Sequence, residues 1–126
     1  MKYLSIIITI LSLSIFPALA QKAAPPETTV EVETLLHAAR DNDLVKFHSL
    51  CDENMKKAIT AEKLTQVSAQ ISQLLKEGYK KTYLGLLKRG QVKTHLWKID
   101  LNKAEAPDLL AELSILNDKV AGFIIR

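Results

Sequence analysis

The order of elements in this chain predicts an α+β fold: three helices first, then a mostly antiparallel sheet of about four strands. Two observations carry that prediction. Apolar residues recur at helical spacing from Val32 to Leu75, and from Gly78 onward the period shortens to about two while Tyr, Val, Thr, Trp and Ile become frequent. A third observation bounds the folded part. Residues 1–20 are composed unlike the rest and read as a signal peptide, residues 21–27 read as a flexible tether, and residues 28–126 read as one domain.

The signal reading rests on three parts in order. Lys2 supplies a positive start, Leu4 to Phe16 form an apolar run broken only by Ser and Thr, and Ala18-Leu19-Ala20 is a small-x-small cleavage site ahead of Gln21. A spanning helix needs about 20 apolar residues, and this run is shorter and meets Pro17. A lipoprotein signal would carry Cys where Gln21 stands. The expectation is a periplasmic or secreted protein with no stable membrane span after cleavage.

In the mature chain, Gln21 to Pro26 is Ala- and Pro-rich without periodicity, as a tether is. Thr28-Thr29-Val30-Glu31 has the spacing of a capping box, and Val32, Leu35, Leu36 and Ala39 follow as one apolar stripe on a first helix ending near Arg40. Asp43 offers a new N-cap for a second helix with Leu44, Phe47, Leu50 and Cys51 on one side. Met55 and Ile59 continue through a less regular passage. Thr60 caps a third helix carrying Leu64, Val67, Ile71, Leu74 and Leu75, which Gly78 stops.

Strands are expected over 80–89 and 91–101, with Gly90 between them, then over 108–116 and 120–125, with Asn117-Asp118 as a hairpin turn. Asp-Leu-Leu-Ala-Glu-Leu could also open a helix, but the alternation of Leu109, Ala111, Leu113 and Ile115 favours a strand. Gly122 inside the last strand marks a bulge or a close contact. The strands do not separate cleanly into apolar and polar faces: Trp97, Ile99 and Leu101 share one parity, yet Val92 and Leu96 hold the other. A sheet open to water on one side should alternate better. A homodimer through the sheet would cover the second face.

Charge and cysteine usage narrow the function classes. Without Lys2 the mature chain has a net charge of +2, and the bases concentrate in 80–103, where seven face the single acid Asp100. On alternating strands such lysines are a solvated face; export argues against nucleic acid and leaves an anionic envelope partner as the alternative. Cys51 is the one cysteine, so no intrachain disulfide forms, and its apolar helical position marks a buried hydrophobe.

Asn42-Asp43 with Phe47, Met55-Lys56-Lys57-Ala58-Ile59-Thr60 with Leu64, the stop at Gly78 and the closing Lys119-Val120-Ala121-Gly122-Phe123-Ile124-Ile125 together support a resemblance. Over roughly Val30 to Ile125 the chain resembles a bacterial domain-of-unknown-function family, found alone behind signal peptides or fused to α/β-hydrolases, and similar to the nuclear-transport-factor-2-like superfamily. The resemblance implies a cone-shaped fold in which helices pack into a curved sheet, often dimeric, with a pocket between them. It does not imply an activity, because that superfamily hosts enzymes and binding modules alike. The hydrolase nucleophile is not carried over, since no Gly-x-Ser-x-Gly elbow occurs here.

Catalytic members of such a fold place an acid or base inside the cone with a donor opposite. The candidates are Tyr79, Tyr83, His95 and Asp100. His95 and Asp100 are five apart on a strand and face opposite ways, whereas Tyr83 and His95 can share a face across the Gly90 hairpin. Trp97 is either a stacking surface in the cavity or a dimer anchor on the other face. His37, His48 and His95 fall on separate elements without metal-ligand spacing, and the glycines are isolated, so no metal, cofactor or catalytic set is assigned. Tyr79, Tyr83, His95 and Trp97 remain as ligand-cavity candidates. The expected role is a small, exported, non-enzymatic domain that binds a small ligand or a partner protein. The alternative is an isomerase-like acid–base enzyme or an accessory subunit of an envelope hydrolase. A polar cavity holding His95 or a buried carboxylate near Tyr83 would favour acid–base chemistry; one filled by Leu and Ile would oppose it.

Overall fold

The computed structural model describes residues 26–126; the expected signal and residues 21–25 of the tether lie outside them. Within that span the chain is α+β. Helices α1 (Pro26–Asp41), α2 (Leu44–His48), α3 (Glu53–Ala58) and α4 (Ala61–Lys76) precede strands β1 (Tyr79–Arg89), β2 (Val92–Leu101), β3 (Leu109–Leu116) and β4 (Lys119–Ile125). The strands form one open sheet in the order β1-β2-β3-β4, and every neighbouring pair is antiparallel.

The helical half departs from the expected three helices. Helix α1 starts at Pro26, so Pro26 and Glu27 leave the tether and Thr28 lies inside the first turn, 2% exposed, rather than at the cap. Proline suits a first helical position because it has no N–H to leave unpaired. Helix α2 ends at His48, where Ser49 takes over as C-cap. Leu50 and Cys51 therefore leave the helix and run beside β4, with Val120 N–H donating to Leu50 O and Asp52 N–H to Val120 O, both at 2.9 Å. The irregular passage that follows is helix α3, whose Met55 N–H is capped by Asp52 Oδ1 at 2.8 Å. Six residues are too few for a periodic apolar stripe to declare itself.

The caps at Asp43 and Thr60 form as expected, on Lys46 N–H and Lys63 N–H at 3.0 and 3.2 Å. Asn117 and Asp118 both take positive φ, 52° and 63°, in the two-residue β3–β4 turn. That is the backbone a type I′ hairpin requires, and Asn and Asp tolerate it better than other side chains.

The core lies between α1, α4 and one sheet face. Val32, Leu35, Leu36, Ala38 and Ala39 of α1 are fully buried against Trp97, Ile99, Ala111, Leu113 and Val120 from the strands and Leu64 and Leu75 of α4. Truncating Leu35 or Leu36 to Ala there should cost about 2–5 kcal/mol, since the cavity cannot collapse fully. Ser72 of α4 adds a tie, donating to Arg40 O at 2.8 Å. None of the described helices is long and apolar enough to cross a membrane.

Parity assigns the two faces. Lys93, His95, Trp97 and Ile99 of β2 pair with Ile115, Leu113, Ala111 and Leu109 of β3 on the inner face, and Leu101, of the same parity, pairs with Tyr79 of β1. On the outer face, which no element of the described chain covers, Leu84, Leu87 and Ile124 are 43–49% exposed, and Val92, Leu96 and Leu110 are partly exposed.

Candidate functional site

The site is created by a register change in β1. Tyr83 pairs with Trp97, and the next partners are Gly85 with Leu96 and Leu86 with His95, so Leu84 is an extra residue. Gly85 holds φ +150°, and a Cβ there would meet nothing within 4 Å. The glycine is therefore needed for its backbone conformation and not for space. Because of the bulge, Tyr83 and Leu86 both face inward, on either side of His95.

Tyr83 and His95 are joined by a hydrogen bond of 2.9 Å between the hydroxyl and Nδ1. Tyr83 also packs edge-on against Trp97, with ring centroids 5.2 Å apart. His95 is 5% exposed. Burial pushes its pKa below 6.5, with Glu27 opposing and Lys93 reinforcing the shift, so the ring is neutral at pH 7. Burial likewise raises the Tyr83 hydroxyl, which stays protonated. The second ring nitrogen of His95 has no hydrogen-bond partner among the described residues.

That ring forms one wall of a cavity of about 470 Å3. Helix α1 supplies Glu27, Thr28 and Glu31; β1 and β2 supply Leu86, Lys93 and His95; the β3–β4 end supplies Ile115 and Asp118. Burial raises the Glu31 carboxyl above its usual 4.5, and the nearby Glu27 and Asp118 charges push the same way. Its Oε2 is buried with no hydrogen-bond partner among the described residues. A carboxyl whose pKa is raised thus lies with a neutral imidazole in one cavity, and both can hydrogen-bond to a polar ligand.

The four sequence candidates separate. Tyr83, His95 and Trp97 are neighbours on the inner face, but only His95 lines the cavity. Trp97 is 3% exposed in the core, with its Nε1 buried and unpaired among the described residues, so it is not on the outer face where a dimer anchor would sit. Tyr79 lies apart, donating to Glu33 Oε2 at 2.8 Å. Burial and that bond raise its pKa strongly. Burial alone would raise Glu33, but the Tyr79 bond and Lys81 at 3.3 Å outweigh it and hold the carboxylate ionised. Asp100 pairs with Lys80 on the outer face, opposite in parity to His95.

Glu31, Lys93, Leu86 and Asp118 are cavity residues that the sequence did not single out. Glu31 stood as half of a capping box, and the place of Leu86 depends on the bulge. Among the described residues no three His, Cys, Asp or Glu side chains are grouped to hold a metal ion. Compared with known proteins, the chain matches no family model, no curated protein and no solved structure.

Proposed function

We propose that this chain is a small exported binding domain that takes a small polar ligand in the His95 cavity and pairs with a second copy through the outer sheet face. One observation carries the ligand reading: a cavity of about 470 Å3, within the range of small-molecule sites, abuts a buried neutral histidine with one ring nitrogen held by Tyr83 and the other unpartnered among the described residues. Export rests on the layout of residues 1–20 and predicts a secreted protein beginning at Gln21. Membership of the nuclear-transport-factor-2-like superfamily, with its cone-shaped fold and curved sheet, is proposed on the Met55–Thr60 and Lys119–Ile125 motifs; helices followed by an antiparallel sheet accord with it.

Native mass spectrometry of protein purified from its own host tests the ligand. A retained small mass is expected, lost in His95→Ala and reduced in Tyr83→Phe. No retained mass, or one indifferent to both substitutions, sinks the reading.

A second reading has its own support. Neutral His95 and Glu31, whose pKa is raised by burial, line one cavity and together offer an acid–base set, with His95 as base and the protonated form of Glu31 as acid. If the retained compound is converted, the rate should fall in His95→Gln and Glu31→Gln alike. A compound bound but unchanged by the wild type excludes this reading and leaves the binding domain, or an accessory subunit of an envelope enzyme.

A further inference from the structure

A second cavity, sharing no lining residue with the first, lies where α4 and α2 meet β4, with a volume of about 130 Å3. Phe47, Leu64, Ile71, Phe123 and Ile125 make its walls. Leu64 and Phe47 are buried, whereas Val67 is 38% exposed and Gln70 is exposed, which puts the mouth on α4. We propose that this cleft is a binding site for a neutral molecule of a single aromatic ring.

Three features carry the proposal. The first is size: cavities of about 150 Å3 lined by Leu, Ile and Phe stay dry and take up benzene, and 130 Å3 admits one ring and little more. The second is shape. Phe47 and Phe123 meet edge-to-face, centroids 6.2 Å apart at 61°, and so offer a guest ring both a face and an edge. The third is the lining, in which no titratable side chain occurs and Gln70 is the sole polar one. A charged group would lose its water there without gaining a partner. A hydroxyl on the ring can instead reach the Gln70 amide at the mouth, so a phenol fits better than an unsubstituted ring.

The test titrates benzene, phenol and benzoate into the full chain, read by methyl NMR and by Tm. Benzene and phenol should shift the Ile59, Leu64, Ile71 and Ile125 methyls saturably and raise Tm by several degrees at about ten times Kd; benzoate should do neither. Val67→Trp, which fills the mouth from an exposed position, should weaken both ligands about tenfold or more. Gln70→Leu should weaken phenol alone. Ile71→Phe narrows the cleft from inside and serves if Val67→Trp does not fold. Absence of saturable shifts, equal binding of benzoate, or shifts confined to the Leu86 and Ile115 methyls of the first cavity would overturn the proposal.

Discussion

His95 carries the clearest consequence at the scale of single residues. Its folded pKa lies below 6.5 because burial disfavours the charged ring. The unfolded chain therefore takes up the proton first, and stability falls as pH drops below about 6.5 toward the folded value. In His95→Gln, where the amide can still pair with Tyr83, that part of the acid sensitivity should vanish. Tm measured against pH for the two proteins checks it, and parallel curves would show that another group is responsible. Cys51 is the opposite kind of residue. Burial raises its thiol to about 11, and Sγ donates to Phe47 O at 3.1 Å, so little thiolate exists at neutral pH. A thiol-reactive disulfide reagent should label the native protein far more slowly than a free cysteine, reaching the free rate only in denaturant. Rapid native labelling would mean that the Leu50–Asp52 segment opens readily from β4.

At the scale of elements, the site depends on the β1 bulge. Gly85→Ala forces a Cβ onto a backbone at φ +150° and should cost about 1–3 kcal/mol. It should also shift Leu86 and disturb the His95 ring signals, because the chain can relieve the strain by moving the bulge. Gly122→Ala is the control: its Cβ would meet Ser114 Cβ at 3.5 Å, an ordinary contact, so denaturant unfolding should report a smaller loss. Equal losses would mean that the Gly85 conformation is not what holds the register. The comparison also shows why the fold was more legible than the cavity. Thr60, Leu64, Ile71 and Leu75 announce α4, and Asn117-Asp118 announces its hairpin, because caps, periods and turns are local chemistry. Which β1 residue faces His95 is not local. One extra residue inverts the parity beyond Tyr83, and period counting alone assigns Gly85 the place that Leu86 holds. The place of Glu31 is hidden for a similar reason: a capping box and an interior helical position share the same spacing, and the start at Pro26 decides between them.

For the whole molecule, the open question set by the sheet is what covers its outer face. Leu84, Leu87, Leu96, Leu110 and Ile124 make that face apolar, and several of its charges are already compensated within the chain. Lys98 meets Asp108 at 3.6 Å, and Glu112 holds Arg126 at 2.8 Å. Two copies can therefore stack face to face without bringing those charges together unpaired. The area sets the strength. Four strands about 4.8 Å apart, paired over six to ten residues at about 3.3 Å each, present roughly 500 Å2 of flat face. A standard stable interface buries about 800 Å2 per partner. The shortfall predicts a reversible dimer in the micromolar range, not an obligate one. Sedimentation of the mature protein should show monomer and dimer exchanging with concentration. Leu87→Lys or Ile124→Lys, at positions already half exposed, should leave a folded monomer at every concentration. A wild type that stays monomeric at about 100 μM, some hundredfold above a micromolar Kd, would remove self-pairing as the cover and assign the face to a different protein.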